Sequence, residues 1–181
     1  SFTPERVVEL SKRYGAMGIA YTYNEPTVFF EFMYDTARIA KENGLFNTIV
    51  TNGYMTPEAV KVLAPYLLAA TVDVKGNGNL DFHRKFMSVN DVSPIYEFLL
   101  ELKRHGIFIE ITDLIVPEYG DKLDDLKKLV SWIIENLGPE VPFHLLRFMP
   151  DYKMIDHYVT PVETLMKHYK VAKEMGLEIV W

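Results

Sequence analysis

The sequence predicts an α/β fold built on a parallel sheet, and three observations point to it. Short runs rich in Val, Ile, Phe, Tyr and Thr alternate with longer segments whose apolar residues recur at helical spacing. The apolar runs are nearly continuous, a pattern typical of strands covered on both faces. Successive runs begin a few tens of residues apart, which is the length of a βα unit with a right-handed crossover.

The elements follow in order along the chain. Six segments fit the strand pattern: Gly18–Thr22, Phe46–Thr51, Ala69–Val74, Ile107–Leu114, Val141–Phe148 and Leu177–Trp181. Six helices lie between or before them. Five begin where a polar residue precedes a proline, at Thr3-Pro4, Glu25-Pro26, Thr56-Pro57, Ser93-Pro94 and Thr160-Pro161. The sixth, Lys122–Leu137, carries an apolar stripe and has Asp121 as its expected cap, and Thr160 with Glu163 fits a capping box.

Composition limits the function classes. With 181 residues and 49% hydrophobic residues, the chain can bury one sizeable core, so one domain is expected over residues 1–181. The net charge of −6 argues against nucleic-acid binding, and no apolar stretch approaches the roughly 20 residues that cross a bilayer. We therefore expect no nucleic-acid or membrane partner and a cytoplasmic location. Cysteine is absent, which excludes disulfides, thiolate nucleophiles and cysteine-ligated iron–sulfur clusters within these residues.

Polar residues follow the first three predicted strands. They stand in Tyr21-Thr22-Tyr23-Asn24-Glu25-Pro26, in Thr51-Asn52-Gly53 and in Asp73-Val74-Lys75-Gly76. Because ligand-binding groups collect at the carboxyl ends of parallel strands, these residues are candidates for a site. The alternative is local structure: Asn24 or Glu25 could cap a helix, and Thr51-Asn52-Gly53 could form a tight turn.

Charged residues within the predicted strands are a second indication of a functional site. Asp73 and Lys75 alternate along one strand, so the sequence predicts that they converge on one face, where charges need a partner or a ligand. His144 lies in an otherwise apolar strand and is either a core histidine paired with backbone or a ligand contact. From the fourth strand Glu110, Thr112 and Asp113 could contribute, depending on register. The other histidines are expected on the solvated surface: His83, His105, His157 and His168.

Together these motifs resemble a radical S-adenosylmethionine enzyme of the pyruvate formate-lyase activating enzyme-like group, in the branch called AmmeMemoRadiSam. The resemblance also rests on Ile115-Val116-Pro117, on Phe143-His144-Leu145-Leu146-Arg147-Phe148 and on Pro150-Asp151-Tyr152-Lys153. It implies a partial (β/α)6 TIM-like barrel. It also implies a [4Fe–4S] cluster on three cysteines spaced C-x3-C-x2-C, and S-adenosylmethionine that is cleaved reductively to a 5′-deoxyadenosyl radical.

The resemblance also assigns residues. Glu25 would hold the amino group of S-adenosylmethionine, Lys75 would lie near its carboxylate, and His144 would line its adenosine side. Asn52 would make a further contact from a strand end. Thr51 and Asp73 match positions that bind a monovalent cation beside the cofactor.

Two departures from the family pattern shape the expectation. Tyr23-Asn24 stands where the family usually has Gly-Gly before the acidic residue, and the three cysteines are missing, as are the first strand and the cluster loop. We therefore expect the S-adenosylmethionine-facing portion of an activating-type enzyme, truncated ahead of its second strand and inactive alone. Its parent would act on a glycyl-radical-type protein or on a small molecule.

Two other functions stay open at this point. The chain could be a non-catalytic, partner-binding barrel fragment that associates, with itself or another protein, through an exposed edge strand. It could also be a cluster-independent lyase or isomerase in which the Lys75 amine forms a Schiff base.

Overall fold

A computed structural model describes residues 2–181. In that part of the chain five strands form one sheet in the order in which they occur in the sequence. The strands are β1 (Gly18–Tyr21), β2 (Phe46–Thr51), β3 (Ala69–Asp73), β4 (Phe108–Ile115) and β5 (Phe143–Arg147). The helices are α1 (Pro4–Arg13), α2 (Phe30–Glu42), α3 (Pro57–Leu63), α4 (Leu80–Met87), α5 (Ser93–Arg104), α6 (Leu123–Asn136) and α7 (Val162–Glu174). The parallel α/β fold predicted from the sequence is confirmed.

Burial alternates along the strands. In β2, β3 and β4 every second residue is buried, and the residues between them are half-buried or exposed. The near-continuous apolar runs predicted cover on both faces, and this expectation is wrong because one face of each of these strands keeps substantial exposure. Polar side chains can stand on that second face without the cost of full burial.

The chain divides into two compact units. The first comprises the described residues up to Val72 together with Glu97–Ile109. In it β1 pairs with β2 and β2 with β3, and a small core of Val8, Ala40 and Leu45 joins α1 to α2. The expectation of a single domain over residues 1–181 stays a prediction.

The second unit comprises Asp73–Tyr96 and Glu110–Trp181. In it β4 pairs with β5, so that Thr112 lies opposite His144. Its local core holds Phe82, Val116 and Phe148, with partly buried apolar side chains packed around them: Phe86, Met87, Leu114, Tyr119 and Met154.

The ends of the predicted elements differ most from the structure. The sixth strand, Leu177–Trp181, contributes only a bridge between Val180 and Phe143. Helix α4 was not predicted, although Asn79 caps it by accepting a hydrogen bond from Phe82 N. Of the expected caps, Thr3 and Thr56 cap α1 and α3 by accepting from Arg6 N and Ala59 N, whereas the caps expected for α6 and α7 are wrong.

Lys122, not Asp121, precedes α6 and provides no side-chain cap. The hydroxyl of Thr160 does not cap α7, because it donates to Ile115 O and accepts from Phe148 N. At Thr160, hydrogen bonds to residues distant in sequence therefore replace the local capping pattern. No helix within residues 2–181 is long and apolar enough to span a bilayer.

Candidate functional site

The Glu25 carboxylate lies just beyond β1 and is held by four donors. Its Oε1 accepts from Thr27 N at 3.1 Å, from Thr27 Oγ1 at 2.8 Å and from Thr51 Oγ1 at 2.7 Å. Its Oε2 accepts from Asn52 N at 2.8 Å. Glu25 thus caps the short 3₁₀ turn Pro26–Phe29, as the capping alternative predicts, and also joins the ends of β1 and β2.

Residues Thr51, Asn52 and Gly53 form a turn after β2. Gly53 N donates to Thr51 Oγ1 at 3.2 Å, and Tyr54 N donates to Asn52 Oδ1 at 3.1 Å. Gly53 has a φ of +78°, which favours glycine. This turn directs the Asn52 N–H and the Thr51 hydroxyl at Glu25, so the structure brings three of the predicted site residues together in the first unit.

In the second unit Asp73 connects two side chains at the end of β3. Lys75 Nζ donates to Asp73 Oδ2 at 2.8 Å, and Thr112 Oγ1 on β4 donates to Asp73 Oδ1. Val74 N also donates to Thr112 O at 2.8 Å, which fixes the two strands against each other here. The predicted convergence of Asp73 and Lys75 is confirmed, and both side chains stay accessible, at 25% and 31% exposure.

His144 lies on β5 beside Glu110 of β4. Its Nε2 lies 3.4 Å from Glu110 Oε2, within ion-pair range but without the geometry of a hydrogen bond, and the Nε2 atom is itself buried. His144 Nε2 thus has no hydrogen-bond partner among the described residues, unlike a core histidine paired with backbone. Such an atom is costly unless a ligand or water pairs with it.

One group with a strongly raised pKa is Asp113, whose orientation the sequence left open. Asp113 is completely buried, and burial raises its pKa to about 7 against the opposing hydrogen bond from Asn77 N at 2.9 Å. Asn77 contacts His168, which is 1% exposed, so the prediction of a surface His168 is wrong. The same prediction fails for His83, which is fully buried in α4. The strand alternation in β4 would have revealed Asp113 once its register was known.

Metal ligands are not grouped in the part of the chain that the structure describes. No three His, Cys, Asp or Glu side chains there are placed to hold a metal ion together. The monovalent-cation roles of Thr51 and Asp73 stay predictions.

Comparison with known proteins adds the family. Residues 1–133 match the Radical SAM superfamily profile. The uncharacterized protein MJ0808 of Methanocaldococcus jannaschii is 46% identical over 179 residues, which are 99% of this chain and 52% of that protein. The chain therefore spans about half the length of this relative.

Two solved structures share the fold. A domain of pyruvate-formate lyase-activating enzyme from Bacteroides vulgatus matches with a TM-score of 0.74 and 16% identity, over 91% of this chain and 97% of that one. A radical SAM methyltransferase from Sphaerobacter thermophilus matches with a TM-score of 0.76 and 14% identity, over 99% of this chain and 57% of that one. At such identities the likeness shows the fold alone. Since the superfamily profile covers well over half of the residues, the chain belongs to the radical SAM superfamily.

Proposed function

We propose that this chain is the S-adenosylmethionine-facing portion of a radical SAM enzyme of the pyruvate formate-lyase activating type, in the AmmeMemoRadiSam branch. Its parent would act on a glycyl-radical-type protein or on a small molecule. The observation that carries the proposal is the Glu25 carboxylate, which Thr51 and Asn52 hold at the end of β1. Superfamily membership supports it, because these enzymes in general use S-adenosylmethionine and a [4Fe–4S] cluster.

The charged residues suit the amino-acid part of S-adenosylmethionine. That part is a zwitterion, which needs one anion and one cation in the protein. Glu25 Oε2 accepts only one hydrogen bond from the described residues, so it can accept another from the ligand's amino group. We assign the ligand's carboxylate to Lys75, whose ammonium is accessible and is steadied by Asp73. Asn52 adds a contact beside Glu25.

His144 suits the adenosine side of the same ligand. Its buried Nε2 has no hydrogen-bond partner among the described residues, and a polar ligand group would supply one. The half-exposed face of β4 and β5 on which His144 stands leaves room for such a contact.

The residues do not fit the cluster. Cluster iron is held by cysteine thiolates, and these 181 residues include no cysteine. The ligands of a cluster would have to come from outside them, and no radical step follows from this chain's own residues. Thr51 and Asp73 remain the proposed contacts of a monovalent cation.

The ion pair of Lys75 argues against the alternative function, a lyase or isomerase in which Lys75 forms a Schiff base. Lys75 Nζ is engaged as a donor to Asp73 Oδ2, whereas a Schiff-base lysine attacks its substrate through the lone pair of a free amine. The contacts of Lys75 therefore favour binding an anion over nucleophilic catalysis.

Calorimetric titration with S-adenosylmethionine tests the proposal. We expect saturable binding by the chain and roughly tenfold weaker binding by Lys75→Met, because a charged hydrogen bond to the carboxylate is lost. Lys61→Met, at an exposed position of α3, is the matched control and should bind as the unaltered chain does. Equal affinities for both variants would contradict the assignment of Lys75.

Reconstitution with iron and sulfide tests the cluster statement separately. The 181-residue chain should develop no [4Fe–4S] absorbance, because it lacks thiolates. Cluster absorbance in this chain would overturn the conclusion that the ligands lie outside it.

A further inference from the structure

The second unit contains a cavity of about 420 Å³ that the proposed function does not use. Its walls come from the Asn77–Leu80 segment, from Tyr96 in α5 and from the first turns of α6. A cavity of this volume is within the range of small-molecule sites. None of its lining residues belongs to the proposed S-adenosylmethionine contacts, so any ligand bound here would be a different one.

Asn77 is one of the lining residues, and its buried side-chain oxygen has no hydrogen-bond partner among the described residues. The residue is 3% exposed, and its Nδ2 lies 3.2 Å from Gly120 O, 3.3 Å from Lys122 O and 3.4 Å from His168 Nε2. His168 Nδ1 lies 2.8 Å from Thr164 O and is the donor there, so Nε2 is an acceptor. Three acceptors thus fix the amide orientation, and Asn77 Oδ1 is left unpaired among the described residues. An unpaired buried oxygen needs a donor.

The charges around the cavity favour a cationic donor. Asp125 lines it, with Oδ2 accepting from Asn79 Nδ2 at 2.8 Å. The one basic residue among the lining residues is Lys128, whose side chain is 79% exposed and lies 3.2 Å from Asp125.

Two aromatic rings form an apolar wall. Tyr96 and Trp132 pack edge to face with centroids 4.6 Å apart. Gly78 allows this arrangement, because it has a φ of +68° and a Cβ there would lie 2.6 Å from the Tyr96 hydroxyl. Aromatic rings attract cations and also pack against apolar groups.

We propose that this cavity binds a small organic ammonium ion that carries an apolar group. The ammonium donates to Asn77 Oδ1 and is attracted by Asp125, and the apolar group packs on Tyr96 and Trp132. The inference does not depend on the proposed function, because the two sets of residues are distinct.

Benzylammonium is the probe, followed in ¹H–¹⁵N spectra of the full chain. The chain has two tryptophans, and only Trp132 lines the cavity, while Trp181 is 71% exposed. We expect saturable shifts of the Trp132 indole N–H and the Asn77 side-chain amide, and none of the Trp181 indole. Benzyl alcohol has a similar shape without charge and should bind more weakly.

A pair of neighbouring variants tests the charge. Asp125→Asn keeps an oxygen to accept from Asn79 and should weaken benzylammonium binding roughly tenfold. Asp124→Asn, at a side chain that is 89% exposed, should leave it unchanged. Shifts that grow linearly and equally at both tryptophans, equal binding of benzyl alcohol, or identical affinities of the two variants would overturn the proposal.

Discussion

Two carboxylates, one in each unit, differ in the number of hydrogen bonds that they accept. Glu25 is half-buried and accepts four hydrogen bonds, from Thr27, Thr51 and Asn52. Asp113 is completely buried and accepts one, from Asn77 N, and its Oδ2 has no partner among the described residues. A charged carboxylate needs several donors once water is removed, so the two groups have different consequences for the molecule.

Glu25 is suited to bind a cationic ligand, whereas the charged form of Asp113 destabilises the fold. The donors around Glu25 fix its carboxylate just beyond β1, where it can meet a ligand's amino group. Burial raises the pKa of Asp113 to about 7, so near neutral pH its charged form opposes folding.

The largest expected effect is a pH dependence due to Asp113. A free aspartate has a pKa of about 3.9, so between about pH 4 and pH 7 the folded chain retains a proton that the unfolded chain releases. The stability contribution of Asp113 is therefore lost as pH rises through this window, by about 4 kcal/mol in all. Asp113→Asn mimics the protonated acid and should gain in relative stability from pH 5 to pH 8 in urea unfolding.

The control for this experiment is Asp124→Asn on the exposed side of α6, whose stability difference should be the same at both pH values. A difference between Asp113→Asn and the unaltered chain that does not change with pH would contradict the statement that Asp113 takes up a proton in the folded state.

A smaller loss of folding stability is expected when the Glu25 side chain is removed. Glu25→Ala leaves the Thr27 and Asn52 N–H groups and the Thr51 hydroxyl without their acceptor, and should lower the free energy of unfolding by about 2 kcal/mol. Glu31→Ala, at an exposed position of α2, should change it little. Equal denaturation midpoints for these two variants would show that Glu25 does not join β1 to β2.

The smallest effect concerns the support of Asp73. Thr112→Val removes the hydroxyl that donates to Asp73 Oδ1 and should cost about 1 kcal/mol in unfolding free energy. Thr112→Ser retains a donor and should lose less. A Thr112→Val variant that loses no more stability than Thr112→Ser, which keeps the hydroxyl, would contradict a stabilising role for this hydrogen bond.

Much of the fold was predictable because local patterns determine it. The bounds of β2 agree with the prediction at both ends, and four of the five proline-marked helix starts lie within two residues of an α-helix. At Glu25-Pro26 a 3₁₀ turn precedes α2 instead. Thr160 was assigned a wrong role because its partners, Ile115 and Phe148, are distant in sequence.

The site was predictable only where its contacts are short-range. The Asp73–Lys75 contact was predicted from alternation on a strand, and it forms although Lys75 lies two residues beyond β3 with a φ of +52°. The roles of Asn77 and His168 depend on contacts between residues 36 and 91 positions apart, and no spacing rule reveals them. Burial of the two histidines His83 and His168 was missed for the same reason, since tertiary packing decides which face of a helix is covered.

A crystal structure of this chain grown with S-adenosylmethionine tests the central claim most directly. The account predicts the ligand's amino group within hydrogen-bond distance of a Glu25 carboxylate oxygen and its carboxylate at Lys75 Nζ, with the adenosine side at His144. S-adenosylmethionine bound elsewhere, with Glu25 and Lys75 retaining only the partners described above, would contradict it.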